Sequence, residues 1–166
     1  MPTLIELKDG VAKGAEDPFT WVPDEAEMVP GDVIVSLTRF EAEGDRLLSE
    51  GRRIGVRLKS DEEVEVLAYD LPRISVVALE FPKHLDGRSY TNARLLTERF
   101  RFKGEVRAVG DVLREQATYM ARSGFNAFEP ADDASANEWQ AAARRYRHAY
   151  QRGSDRLVPA FEERQS

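Results

Sequence analysis

The chain has 166 residues, the length of one domain, and its 42% hydrophobic and 33% charged residues are typical of a folded protein. Its formal net charge of −6 argues against a nonspecific grip on the phosphates of nucleic acid. The absence of cysteine excludes disulfides, thiolate catalysis and cysteine-ligated iron–sulfur clusters. Only two histidines, His84 and His148, occur far apart, so we expect no bound metal.

Several signals of location and chemistry are missing from the sequence. No basic and apolar leader opens the chain, and no apolar run approaches the roughly 20 residues of a membrane span. We therefore expect a cytoplasmic protein that makes no use of a membrane. No glycine-rich dinucleotide fingerprint, phosphate loop or serine nucleophile elbow is present, so the usual signatures of those enzyme classes are lost.

Residues 1–30 are predicted to form an N-terminal hairpin arm. Residues 3–7 alternate in hydrophobicity and meet Asp9-Gly10, a pair typical of hairpin turns. The stretch 17–23 then places bulky aromatic side chains between prolines. We expect the arm to pack these aromatic side chains on the main domain.

From residue 31 onward, short apolar runs alternate with helical patterns. The predicted strands are 33–37, 54–58, 75–81, 105–109 and 126–129. The helices predicted after them end near Gly51, Leu71, Arg101, Gly124 and Gln151. A strand and a helix in every ~20–30 residues predict a parallel sheet with right-handed crossovers. We therefore expect residues 31–152 to form an α/β domain of about five mainly parallel strands in βα units, and residues 153–166 to form a mobile tail.

The sequence leaves two arrangements of this sheet possible. An open sheet with helices on both faces requires strands that are apolar on both sides. A curved, partial-barrel sheet allows one face to carry polar groups near the strand ends. Arg57 and Arg107 alternate with apolar neighbours along their strands, which slightly favours the curved form.

The richest candidate binding segment follows the third predicted strand, because parallel sheets gather ligands beyond the carboxyl ends of their strands. Lys83 and Arg88 are interpreted as anion-binding residues at the start of a helix, where backbone N–H groups also favour negative charge. The ordinary structural alternative is that Asp86 caps this helix and Arg88 is its salt-bridge partner. We predict that the ligand-binding residues are Lys83, Asp86, Arg88, Tyr90 and Arg107, and that Asp86, Arg88 and Arg107 converge on one rim of the sheet.

Three residues at or beyond the strand ends are candidates for proton transfer: Glu80, His84 and Asp111. The histidine is the residue whose intrinsic pKa, ~6.5, best suits this role, although a lone histidine in a loop is commonly solvated. The Gly110-Asp111 pair also permits close approach of a ligand to the backbone, and a plain turn explains it equally well.

The last predicted helix carries a basic run that could contact an acidic partner. A solvated face is the ordinary interpretation, and docking to an acidic protein is the sharper one. Trp139 and Tyr146 lie on one side of this helix. They are expected to pack it on its own sheet, and the alternative is that they add aromatic area to the docking surface. The predicted partner-binding residues are Arg144, Arg145 and Arg147.

Short motifs across the domain stand in the order and spacing of a known bacterial family. They are Phe81-Pro82, Asp86-Gly87-Arg88, Tyr90-Thr91, Ala93-Arg94-Leu95-Leu96, Gly104 to Leu113, Gly124-Phe125-Asn126-Ala127-Phe128 and Ala149-Tyr150-Gln151. On these residues the chain resembles the family known as domain of unknown function 934, whose members are described as oxidoreductases involved in sulfite reduction. Many relatives have a cysteine where this chain has Ser123, so a thiol at that position is not required here.

The resemblance implies an accessory protein of assimilatory sulfite or sulfate reduction. Such a protein would act by docking on sulfite reductase or its electron donor, or by binding a small anion at the turn that contains Asp86 and Arg88. The alternative is an oxidoreductase-type enzyme on a partial-barrel scaffold that uses Glu80, Asp111 or His84, and a small-molecule sensor is a third reading. The resemblance assigns no cofactor, and a homo-oligomer remains open.

Overall fold

The computed structural model describes residues 4–8, 11–82, 87–130 and 136–143. The strands in these ranges are β1 (Leu4–Lys8), β2 (Val11–Ala15), β3 (Thr20–Trp21), β4 (Val33–Ser36), β5 (Ile54–Leu58), β6 (Val76–Phe81), β7 (Glu105–Gly110) and β8 (Ala127–Phe128). The α-helices there are α1 (Leu37–Ser49), α2 (Arg88–Arg94), α3 (Ala117–Ser123) and α4 (Ala136–Ala143).

All eight strands belong to one sheet in the order β2-β1-β8-β7-β6-β5-β4-β3. Neighbours from β8 to β3 are parallel, whereas β1 runs antiparallel to both β2 and β8. The sheet is open and curled into a half-barrel. The expected α/β class and mainly parallel strands are confirmed. The expected number of about five strands is wrong, because the N-terminal hairpin and β3 extend the sheet at its two edges.

The helices pack on one face of this sheet, which we call the helix-covered face. Side chains from alternate strand positions, such as Val77 and Leu79, share its core with Phe40 of α1, Leu96 after α2 and Met120 of α3. The other strand positions point to the opposite face, where a smaller apolar cluster contains no helix residue. This cluster consists of Phe19, Ile34, Val76, Ala78 and Val109. We call this side the helix-free face.

Helix α1 forms for two local reasons. The Ser36 hydroxyl accepts a hydrogen bond from the backbone N–H of Arg39 (3.1 Å), which satisfies one of the unpaired donors at the helix start. Buried residues at helical spacing, among them Leu37, Phe40 and Leu47, then anchor it on β4 and β5. Ser36 is also the last residue of β4, so the strand passes directly into the helix.

Three helices differ from their predicted extents. The segment after β5 forms two short 3₁₀ turns, Val64–Leu67 and Leu71–Arg73, instead of one helix. Val64 and Leu67 are both buried, and a spacing of three residues with Pro72 downstream suits 3₁₀ geometry. Helix α2 continues as a π-helical turn, and α3 starts at Ala117 although the sequence predicts a helix from Val112. It ends at Gly124, whose φ of +112° confirms the predicted glycine cap.

No helix in the described ranges has both the length and the apolar run that crossing a bilayer requires.

Candidate functional site

A buried arginine cluster occupies the helix-free face at β7. Arg107 is 0% exposed, and its Nε donates to Glu105 (2.7 Å) while Nη1 and Nη2 bind the two carboxylate oxygens of Asp17 at 2.7 and 3.1 Å. Glu129, just after β8, accepts a longer bond of 3.4 Å from Nη1. Three carboxylates around one guanidinium satisfy its donors and leave local negative charge, so this cluster has little capacity to hold a further anion.

The cluster also fixes the segment between β2 and β3 on the sheet. Asp17 accepts the backbone N–H of Phe19 (3.0 Å), and the Phe19 ring lies beneath the guanidinium groups of Arg53 and Arg107, at 5.0 and 5.9 Å. Asp17 is separated from Arg107 by 90 residues. The predicted arm therefore does pack an aromatic side chain on the main domain, and a buried ion pair holds it there.

Burial opposes the charge of one carboxylate in this cluster. The pKa of Glu105 is raised, first by burial, and also by the nearby carboxylates of Asp17 and Glu6, while Arg107 acts in the opposite direction. Burial lowers the pKa of Arg107, but the hydrogen bonds that it donates to Asp17 and Glu105 and the negative charge of these carboxylates outweigh it, so this pKa lies above its ordinary value. Arg107 is charged throughout the usual pH range and is suited to a structural role.

A second arginine on the same face is arranged differently. Arg57, on β5, donates only its Nε to Glu80 of β6 (3.1 Å), and its guanidinium lies 4.8 Å from the centre of the Trp21 ring. The described part of the chain offers no acceptor to Nη1 or Nη2 of Arg57. Trp21 is 40% exposed and the side chains of Arg57 and Glu80 are partly exposed, so this Trp21–Arg57–Glu80 row reaches solvent.

The sheet register explains why these three side chains meet. Trp21 pairs with Ile34 on β4, and Arg57 pairs with Ala78 on β6. Because side chains alternate along a strand, these positions all point to the helix-free face. Arg57 and Glu80 both lie in the carboxyl-terminal halves of their strands, which is the edge where half-barrels and related parallel sheets bind ligands.

Tyr90 lies on the other side of the sheet from Arg107. Its ring packs edge-on against Phe81 and Tyr119, with centroid distances of 5.0 and 4.6 Å, in the core of the helix-covered face. Burial, aided by Tyr119, raises the pKa of Tyr90 to about 12. The structure thus does not bring Tyr90 and Arg107 together, because the sheet separates them.

The start of α2 lies at the carboxyl end of β6, as predicted. The Ser89 hydroxyl donates to the backbone carbonyl of Glu80 (2.8 Å), and the preceding Arg88 is exposed in the first turn of α2. Lys83, His84 and Asp86 lie outside the described residues. Ligand binding by this turn and proton transfer by His84 therefore stay predictions.

Gly110 and Asp111 form a tight turn at the same edge. Gly110 has a φ of +89°, and a Cβ there would lie 2.5 Å from the backbone oxygen of Phe81, so only glycine fits without displacement. The N–H of Asp111 donates to that oxygen (2.8 Å). The close approach that the glycine permits is thus made by the protein's own backbone, and a catalytic role of Asp111 stays a prediction.

Position 123 is a packing position. Ser123 is fully buried at the end of α3, and its hydroxyl donates to the carbonyl of Tyr119 (2.9 Å). That no thiol is required at this position stays a prediction.

The predicted partner surface falls largely beyond the described chain. Helix α4 is described to Ala143, and Arg144, Arg145, Arg147 and Tyr146 lie outside the described residues. Trp139 is 1% exposed and stacks on Phe128 of β8 with a centroid distance of 5.0 Å. Its expected packing on the sheet is confirmed, and docking through the arginines stays a prediction.

Reasoning from sequence missed Trp21 as a site residue and used Arg57 only to choose the shape of the sheet. An arginine at an inward position near the end of an apolar strand was the available signal for Arg57. Trp21 gave none, because its two-residue strand lies in a segment rich in proline and aromatic residues.

The fold and this row of side chains define an α/β half-barrel protein with a candidate ligand site on its helix-free face. Among the described residues, no group of three or more histidine, aspartate or glutamate side chains could hold a metal ion. The model of a family described as "Bacterial protein of unknown function (DUF934)" matches residues 55–161, and the chain belongs to that family. The match includes Arg57 and Glu80 and begins after Trp21. No curated protein matches the chain.

Proposed function

We propose that this protein is an accessory factor of assimilatory sulfite reduction that binds a small ligand on its helix-free face. The observation that carries the proposal is the Trp21–Arg57–Glu80 row, a partly exposed polar group beside the apolar cluster of this face, near the carboxyl ends of parallel strands. The resemblance of the chain to a family described in connection with sulfite reduction supports the metabolic assignment.

The geometry favours binding over proton transfer. The Glu80 carboxylate, one of the candidate bases, already accepts the Nε–H of Arg57. That carboxylate oxygen is engaged in a charge-assisted hydrogen bond that holds the arginine in place. Glu80 is therefore better suited to orienting Arg57. An accessory protein of this kind would deliver or sense its ligand in contact with sulfite reductase or its electron donor.

The assignment is tested by deleting the gene in its native host and comparing growth on different sulfur sources. We expect slow growth on sulfate and on sulfite, normal growth on sulfide and on cysteine, and recovery when the wild-type gene is restored. Sulfide enters after the reduction step, so its use separates a defect in sulfite reduction from a general one. Equal growth of the deletion strain and the parent on all four sources would contradict the proposal.

A further inference from the structure

We infer that Arg57 binds a small oxyanion through its Nη1 and Nη2 atoms, with Trp21 and Glu80 as positioning residues. The ligand class is an anion with two or more oxygens on one central atom, such as a carboxylate, sulfite, sulfate or phosphate. This inference rests on the proposed function, because it assigns the ligand class to the same site.

Glu80 accepts a hydrogen bond from one of the donors of the Arg57 guanidinium. A guanidinium carries five N–H donors in a fixed planar fork. Glu80 takes the Nε donor, and the four donors on Nη1 and Nη2 have no acceptor in the described part of the chain. The Nη1–Nη2 edge is the one that pairs two parallel hydrogen bonds with two oxygens of an oxyanion.

Two neighbouring side chains hold the guanidinium of Arg57 in one orientation. The Trp21 ring lies 4.8 Å from the guanidinium carbon and interacts with the face of the group, while Glu80 holds its Nε edge. One face and the Nε position of the guanidinium are therefore occupied by the protein. The Nη edge remains, and its orientation is set before the ligand arrives, which reduces the entropic cost of binding.

Two other arginines on this face differ from Arg57 in how their hydrogen-bond donors are used. Arg107 uses all three of its nitrogens on carboxylates and is fully buried. Arg53, directly before β5 and on the same side of the sheet, donates its Nε to Asp32 (2.8 Å), places Nη2 2.7 Å from the same carboxylate oxygen and stacks on Phe19. Arg53 therefore resembles Arg57 in face and aromatic contact, but a carboxylate already occupies one edge of its fork.

The net charge of the site decides which interactions can supply its affinity for an anion. Arg57 and Glu80 together are neutral, so the site does not attract anions by a net positive field. Affinity has to come from paired, directional hydrogen bonds, which a planar guanidinium provides and an ammonium group does not. This predicts that Arg57→Lys fails to replace the arginine even though it preserves the charge.

The inference is tested by isothermal titration calorimetry of the full chain with sulfite, sulfate, phosphate and acetate at matched ionic strength, with chloride as the blank. We expect the wild type to bind at least one of the four oxyanions, and the comparison among them identifies the source of the oxygens. Arg57→Gln and Arg57→Lys should each weaken that binding about tenfold or more, because charge-assisted hydrogen bonds are lost. The matched control Arg53→Gln should bind as the wild type does.

Thermal melting of every variant shows whether it is folded, and the Arg57→Lys result keeps the test valid if Arg57→Gln is unstable. The inference is overturned if the wild type binds none of the four oxyanions, or if both Arg57 variants bind as tightly as Arg53→Gln. Growth of the deletion strain is scored separately. A growth defect confined to sulfate and sulfite, together with no oxyanion binding by the purified protein, would contradict this inference without contradicting the role in sulfite reduction.

Discussion

The two faces of the sheet each carry one of the two tryptophans of the chain, and the two residues are used in opposite ways. Trp139 on the helix-covered face is 1% exposed and stacks on Phe128. Trp21 on the helix-free face is 40% exposed and stacks on a guanidinium that can reach solvent. One face therefore holds the fold together, whereas the other offers rigid polar groups outside the helix layer.

The helix-free face itself divides into a structural part and a binding part. Arg107 donates to Asp17, Glu105 and Glu129, whereas Arg57 has one donor satisfied within the described ranges, by Glu80. The same residue type at equivalent strand positions thus serves different purposes. The number of protein acceptors around each guanidinium decides whether it stabilises the fold or can bind a ligand.

The comparison between the two tryptophans predicts the largest effect. Trp139→Ala should lower the free energy of unfolding by about 4 kcal/mol, because it removes a fully buried ring and leaves a cavity. Trp21→Ala should cost less than about 1 kcal/mol, because its ring is partly solvated. Urea denaturation of both variants measures the difference. Similar losses for the two variants would break the distinction between the faces.

The two arginines predict the next effect. Arg107→Gln should lower the free energy of unfolding by about 3 kcal/mol, because three carboxylates lose the buried cation that compensates them. Arg57→Gln should cost less than about 1 kcal/mol, because its ion pair is partly exposed. Chemical denaturation again measures both. A larger loss for Arg57→Gln than for Arg107→Gln would contradict the roles assigned to them.

The smallest effect concerns pH. Burial is the main reason that the pKa of Glu105 is raised in the folded protein, so its charged form costs stability above that pKa. Glu105→Gln should therefore be more stable than the wild type near pH 7, by less than about 1 kcal/mol. The advantage should disappear as pH falls through the raised pKa, where the wild type takes up its proton. Denaturation between about pH 4 and pH 7 tests this, and a difference that does not change with pH would contradict it.

Much of the central fold could be predicted from local pattern. Apolar runs separated by helical segments predict β4 to β8 and their parallel order, since crossovers of this length favour neighbouring parallel strands. The alternation of Arg57 and Arg107 with apolar neighbours favoured the curved sheet, and the half-barrel bears this out. Both signals involve residues that are close together in the chain, so a single sequence is enough to detect them.

The remaining features depend on contacts that are distant in sequence. Asp17 belongs to a segment read as an arm, and it binds Arg107 across 90 residues, so no local pattern predicts the pair. Trp21 enters the site because a two-residue strand pairs with β4. Tyr90, a predicted ligand-binding residue, lies in the core of the helix-covered face, because the register of α2 on the sheet decides which way its side chains point.

The most direct test of the helix-free face as the binding face follows the two tryptophan indole N–H signals by NMR while an oxyanion identified by calorimetry is added. One signal belongs to each face, so each acts as a control for the other. We predict that the Trp21 signal shifts in proportion to occupancy and that the Trp139 signal stays in place. A shift of the Trp139 signal with an unchanged Trp21 signal would contradict the assignment of the binding site to the helix-free face.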